Sequence, residues 1–249
     1  MDAATLALLS LATLSGAFVQ AATGFGFAIL AAPVFLWAMD SKAAIPTLVA
    51  LQLAQSFHLV PVMWRETPKA ELRTLTFGAV IGCPTGLAVL HLVAVKTLKV
   101  LLGALILGFV VLFVLRRRWK TVPGQAARPP HPMLSGLTGA ASGALTALLG
   151  MPGPPLMVYF AARKVSLIPA RALSITFFAG CELAVLVLAG FTGAFDRETA
   201  FAALLLLPPL VAGTLLGRRA GLRLPPERYQ SVLLVLMLLS GIGALASAL

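Results

Sequence analysis

The chain has 249 residues, of which 59% are hydrophobic and only 11% are charged, with a mean hydropathy of +0.98 and a net charge of +11. Its long charge-free runs predict a polytopic helical membrane protein, because helices satisfy their own backbone hydrogen bonds in lipid. This composition leaves no room for a soluble catalytic domain, and loops facing an anionic membrane surface explain the basic excess without nucleic acid.

The first charge-free run extends from Ala3 to Met39 and contains the sequence ATGFGF at residues 22–27. As one helix it would measure about 55 Å, whereas the hydrocarbon core of a bilayer is about 30 Å thick. It is also too short for two full crossings and a turn. We therefore predict a re-entrant hairpin over residues 3–39, broken near Gly24 and Gly26. A kinked helix that crosses the membrane once is the alternative.

The rest of the chain predicts six membrane helices, a second hairpin and a basic, proline-rich linker that separates two halves. In chain order these elements are helices 43–64, 74–95 and 96–115, a cytoplasmic linker 116–132, a hairpin 133–163, and helices 168–190, 198–218 and 227–248.

The two halves, residues 1–115 and 133–249, resemble each other, which predicts an internal duplication. The sequence PVFLW at 33–37 corresponds to PLMVY at 155–159, and a lysine and then a proline follow each. The second long run is also interrupted, by GMPGPP at 150–155. The predicted fold is therefore an all-α polytopic membrane protein of two inverted repeats, each a broken re-entrant hairpin plus three transmembrane helices.

The basic residues favour the inverted arrangement. With two re-entrant hairpins, the loops on one side carry 15 of the 19 basic residues, and the loops on the other side carry 4. With eight single crossings the split would be 10 and 9, which decides nothing. Because cytoplasmic loops carry the excess of Lys and Arg, we predict a bacterial inner-membrane protein with a cytoplasmic linker and both termini extracytoplasmic.

The two breaks, at Gly24–Phe27 and Gly150–Pro155, form the candidate site. A helix that begins inside the membrane offers unpaired N–H groups and a partial positive charge, and glycine lets a ligand approach the backbone. In transporters built from inverted repeats, such breaks bind the substrate. The alternative is that the glycines only allow close helix packing. The predicted substrate-binding residues are Thr23, Gly24, Phe25, Gly26, Phe27, Gln52, Gln55, His58, Thr146, Gly150, Met151, Gly153 and Thr176.

Polar side chains within predicted helices are candidates because they are costly in lipid. Gln52, Gln55 and His58 follow one another at i, i+3 and i+6, along one helix face. Neutral amides suit an anion, since they donate hydrogen bonds without holding the ion by a full charge. The alternative is that these groups bond neighbouring helices.

Glu182 is the only acidic residue well inside a predicted span. We expect it either to pair with a basic residue or to carry a proton, if transport is coupled to protons. Arg163, Lys164 and Arg171 flank the second hairpin and are predicted to anchor it at lipid headgroups.

At these motifs the sequence resembles a known family. ATGFGFAILAAPVFL and LTALLGMPGPPLMVYFAARKVSLIPAR are similar to the repeated glycine-rich motifs of the sulfite exporter TauE/SafE family, also called the four-TMS sulfur-related permeases. The resemblance covers essentially the whole chain as two copies of the family repeat. It implies a membrane carrier for sulfur-containing anions such as sulfite, sulfoacetate and other organosulfonates.

The predicted function is therefore a secondary transporter of small sulfur-containing anions, with the lipid bilayer and protons as further expected partners. A passive anion channel is the alternative. A membrane-embedded enzyme is less favoured, because paired intramembrane carboxylates and the HExxH and GxSxG motifs are missing from the sequence. Cys83 and Cys181 are predicted to be buried free thiols. No cofactor and no metal are expected.

Overall fold

A computed structural model describes residues 2–39, 42–117, 131–221, 238 and 241–243 of the chain. Within these ranges the chain folds into ten α-helices and one short 3-10 turn at Trp64–Glu66. The helices are α1 Ala3–Thr23, α2 Phe27–Met39, α3 Ala44–Met63, α4 Lys69–Leu92, α5 Val95–Arg117, α6 Pro132–Leu149, α7 Gly153–Arg163, α8 Leu167–Phe191, α9 Arg197–Leu205 and α10 Leu207–Gly221.

The all-helical membrane class predicted from composition is confirmed. In the described part of the chain, α1, α3 with its 3-10 turn, α4, α6 and α8 are long and apolar enough to cross a membrane. The pair α9 and α10 makes a sixth candidate span, bent by 46°. Most of the predicted helix 227–248 and most of the linker 116–132 lie outside the described residues.

The predicted single helix 198–218 is wrong in detail, because the chain bends at Leu206. Pro208 and Pro209 follow at once, and a proline inside a helix lacks an N–H donor and clashes with the carbonyl one turn earlier. The start of α9 is set by Asp196, whose Oδ1 accepts a hydrogen bond from the Thr199 N–H at 2.8 Å. This backbone hydrogen bond lowers the pKa of the Asp196 carboxyl.

Both broken segments fold back on themselves. Thr5, near the start of α1, and Met39, at the end of α2, line one surface pocket. Ser135, near the start of α6, is hydrogen-bonded to the hydroxyl of Tyr159 on α7 at 2.8 Å. The two ends of each broken segment therefore lie close together, as in a hairpin.

The two halves pack crosswise: α4 of the first half lies against α6 of the second, and α10 of the second lies against α1 of the first. Glycines allow both contacts, because a Cβ atom at each would overlap the backbone of the facing helix. Small residues spaced four apart let membrane helices approach this closely. The glycines in question are Gly78, Gly82 and Gly86 on α4 and Gly213 and Gly217 on α10.

Candidate functional site

Each hairpin turns at a glycine whose backbone lies in the left-handed region, which residues with a side chain rarely adopt. Gly24 ends α1 with φ 92°, and Gly150 ends α6 with φ 66°. The next helix begins three residues later, at Phe27 and at Gly153. The backbone N–H of Phe25 donates to Thr23 Oγ1 at 3.2 Å, which fixes the first turn. The sequence thus produces two similar elbows, each followed by the start of a helix, where the first N–H groups have no acceptor within the helix.

Each elbow is held by a helix from the other half of the chain. At the first elbow, a Cβ on Gly24 would lie 2.6 Å from Cγ of Arg171, and Arg171 Nη2 donates to the Ala21 carbonyl at 2.5 Å. At the second, Gly150 lies against Leu48. Arg171 and Leu48 both stand two residues after a proline near the start of their helices, α8 and α3. The two elbows therefore have equivalent supports.

One cavity lies between the two elbows. It is lined by the first elbow and the start of α2, by the second elbow and the start of α7, and by single side chains from four other helices. Its volume is about 20 Å³, which is room for about one water molecule. In this conformation the cavity is too narrow for a larger anion. The lining residues are Gln20, Phe25, Gly26, Ala28, Ile29, Gln52, Phe109, Met151, Pro152, Gly153, Pro154 and Phe178.

Comparisons with known proteins indicate a membrane transporter. The sequence model of the family "Sulfite exporter TauE/SafE" matches residues 8–244, which is nearly the whole chain. The chain belongs to the sulfite exporter TauE/SafE family. It is 28% identical over 250 residues to the probable sulfite/organosulfonate exporter TauE of Cupriavidus necator, covering 96% of this chain and 93% of that protein. No solved structure matches the chain.

Membership of the TauE/SafE family makes the chain a multi-pass membrane transporter and not an enzyme. It confirms the resemblance inferred from the two glycine-rich motifs. Cys83 and Cys181 are buried free thiols, in agreement with the sequence expectation. Across the described residues, no group of three or more His, Cys, Asp or Glu side chains is arranged to hold a metal ion.

Five of the predicted site residues line the cavity of this TauE/SafE protein: Phe25, Gly26, Gln52, Met151 and Gly153. Gln52 also fixes the second elbow, because its Nε2 donates to the Gly150 carbonyl at 3.0 Å. The carbonyl of the break is thereby paired inside the protein. Thr23, Gly24, Phe27 and Gly150 shape the elbows without lining the cavity.

The remaining predicted side chains lie away from the cavity. Gln55 Nε2 donates to the Ala17 carbonyl at 2.7 Å and to Thr214 Oγ1 at 3.0 Å, so this amide joins α3 to α1 and α10. His58 is exposed, with Nε2 at 3.1 Å from Nη1 of Arg218. These contacts match the alternative in which polar side chains bond neighbouring helices.

Two buried threonines on the predicted list have their hydroxyl groups paired within the protein. Thr146 Oγ1 donates to the Ser142 carbonyl within α6 at 2.7 Å. Thr176 Oγ1 is hydrogen-bonded to Thr67 Oγ1 at 2.9 Å, which joins α8 to the loop before α4.

Glu182 lies fully buried in α8, where its Oε2 accepts a hydrogen bond from Ser56 Oγ at 2.7 Å. Among the described residues its partner is this hydroxyl and not a basic side chain, and Oε1 has no hydrogen-bond partner. The Ser56 contact joins α8 to α3, the two helices that support the elbows.

A buried polar cluster was missed by the sequence analysis. Arg163, predicted as a headgroup anchor, is 7% exposed and forms an ion pair with Glu71 in the first turn of α4. Its Nη1 also donates to the Tyr159 hydroxyl at 2.9 Å, and that hydroxyl is bonded to Ser135. The anchor prediction for Arg163 is therefore wrong: its charge is buried because a carboxylate from the other half pairs with it. Lys164 is exposed.

Gln20 is the second residue that the sequence analysis missed. It lines the cavity from α1, four residues before Gly24, and is 1% exposed. Its position in the sequence could have identified it, since Gln20 is the one amide side chain between Ala3 and Met39.

Proposed function

We propose that this protein is a secondary transporter that carries a small sulfur oxyanion or organosulfonate through the cavity between the two elbows. The observation that supports this is the shared lining, in which residues of both helix breaks line one cavity. The relative from Cupriavidus necator is named for sulfite and organosulfonate export. A cavity with room for about one water favours a carrier that changes conformation over an open anion channel.

In this proposal the first turn of α2 binds the anion. The N–H groups that begin α2 have no intrahelical acceptor, and the helix dipole at this end attracts negative charge by roughly 0.3–2 kcal/mol. The start of α7 contributes fewer donors, because Pro152, Pro154 and Pro155 have no N–H group. The Gln52 amide already donates to the Gly150 carbonyl, which joins α3 to the second elbow.

Gly153→Val tests this binding site. A Cβ at Gly153 would have its nearest neighbour 4.0 Å away, at Phe178 Cζ, so a larger side chain extends into the cavity without a backbone clash. We expect at least a tenfold loss of sulfite or methanesulfonate binding by the purified protein, which is about 1.4 kcal/mol. Thermal stability without ligand should change far less.

The matched control is Gly180→Val, because a Cβ there meets no atom within 4 Å and the position is exposed. Gly26 is not suitable for this test, since its φ of 106° and the nearby Val19 make any side chain strained. If Gly153→Val binds the anion normally, the binding site does not lie at the elbows.

We also propose that the two halves are inverted repeats and that both termini are extracytoplasmic. Crosswise packing and the equivalent elbow supports favour a duplication, and the 15-to-4 division of basic residues favours this orientation in a bacterial inner membrane. Reporter fusions after Gly124 and after Leu249 should give a cytoplasmic and an extracytoplasmic signal, respectively. A cytoplasmic signal at both positions contradicts the inverted arrangement.

Finally, we propose that Glu182 couples transport to protons. A carboxyl group with one hydroxyl partner is easier to bury with its proton than without it, so its ionisation favours a different arrangement of α3 and α8. Cys181 on α8 and Cys83 on the neighbouring α4 are also buried, but Glu182 is the one carboxyl group with no exposed surface among the described residues.

A further inference from the structure

Gln20 carries a hydrogen-bond donor that the fold leaves unused. Its Nε2 atom is buried and has no hydrogen-bond partner among the described residues, although the side chain lines the cavity between the elbows. Burying an amide donor without an acceptor costs free energy, so most buried donors in proteins are paired. The unpaired donor therefore indicates an acceptor that arrives with a ligand.

Gln55 shows that the amide donor of a buried glutamine can be paired in this protein. Its Nε2 donates to both the Ala17 carbonyl and Thr214 Oγ1, although its Oε1 has no partner among the described residues. Gln20 Nε2 has no such contact among the described residues, and the Gln20 side chain lines the cavity. The two glutamines thus differ in role: Gln55 joins helices, and Gln20 faces the site.

The other lining groups restrict the chemistry of the acceptor. Gln52 brings a second amide to the cavity, and every lining side chain in the described cavity is uncharged. Phe25, Phe109 and Phe178 make much of the rest of the wall apolar. Neutral donors can replace the hydration of one negative charge, but each additional charge adds a desolvation cost that a cation would have to offset.

We propose that Gln20 is a substrate-binding residue, whose Nε2 donates to an oxygen of the bound anion, and that the uncharged amide lining selects singly charged oxyanions such as alkylsulfonates over doubly charged ones. This inference rests on the proposed transport function and names the substrate class of the same site. An alkylsulfonate places its oxygens near the amides and its hydrocarbon group against the phenylalanine rings.

The test uses the full-length purified protein and Gln20→Met, which keeps the length of the side chain but removes the donor. Binding of methanesulfonate, which has one charge, and of sulfate, which has two, is measured by calorimetry, and melting temperature is measured without ligand. We expect wild type to bind methanesulfonate at least tenfold more tightly than sulfate. Gln20→Met should lose at least tenfold in methanesulfonate affinity, with an equal or higher melting temperature, because an unpaired donor has been removed from the interior.

Gln55→Met is the matched control for stability. Its amide donates two hydrogen bonds in the fold, so the same substitution should lower the melting temperature. A similar fall for Gln20→Met would show that the Gln20 amide has a structural partner, and would overturn the proposal.

The binding results separate this inference from the function on which it rests. If wild type binds methanesulfonate and Gln20→Met binds it equally well, Gln20 is not a ligand donor, while the transport function stands. Equal affinity for sulfate, or binding of sulfite without methanesulfonate, overturns the proposed substrate class. If wild type binds neither sulfite nor methanesulfonate, both proposals fail.

Discussion

Arg163→Met should destabilise the protein by about 3–5 kcal/mol, because it leaves a buried carboxylate without its partner. The Arg163 and Glu71 side chains are each about 8% exposed, and the pair joins α7 of one half to α4 of the other. The Tyr159 hydroxyl, which bonds both Arg163 and Ser135, would also lose a donor. The unfolding midpoint of the purified protein in detergent measures this effect.

The double variant Glu71→Leu with Arg163→Met should recover most of the loss, since no unpaired charge then remains buried. Arg73→Met is the matched control, because Arg73 is exposed on the same helix as Glu71 and should change stability by no more than about 0.5 kcal/mol. An Arg163→Met variant as stable as Arg73→Met would mean that the buried pair contributes nothing to the fold.

Glu182→Gln should abolish accumulation of sulfite or methanesulfonate driven by a pH gradient and leave exchange of substrate across the membrane intact. The amide has the shape of the protonated carboxyl and still accepts a hydrogen bond from Ser56, but it cannot release a proton. Accumulation and counterflow in proteoliposomes, with and without an imposed gradient, measure the two activities separately.

The control for this experiment is Glu66→Gln, which removes an exposed carboxylate at the very end of the candidate span formed by α3 and its 3-10 turn. If Glu182 only supports packing, Glu182→Gln should lower stability and reduce both activities together. Unchanged accumulation and exchange would exclude Glu182 from the mechanism.

The two helix breaks could be predicted from the sequence because they depend on local properties. Run length excludes one straight helix, and Gly24 and Gly150 mark the positions where the backbone adopts a positive φ. The bend at Leu206 was equally local, since Pro208 and Pro209 are visible in the sequence, but apolar composition alone favoured one continuous helix.

The residues that line the cavity could not be predicted from the sequence, because the lining depends on which helices become neighbours. Gln52 and Gln55 are three residues apart, yet one faces the cavity and the other faces α1 and α10. Periodicity places both on one side of α3 without specifying what packs there. The partner of Arg163 is Glu71, which lies far away in the sequence. Only the crosswise packing of the halves brings the two charges together.

The crosswise packing of α1 against α10 also has a consequence for biosynthesis. Leu14 on α1 contacts Gly213, which leaves the ribosome about 200 residues later; at roughly 5–20 residues per second this delay is about 10–40 s. During that time the side of α1 that will receive the α10 glycines has no protein partner, and its groove must be covered by lipid or by an insertion factor. We therefore expect chains truncated before α10 to be recognised by membrane quality control, even though α1 to α8 have already been inserted.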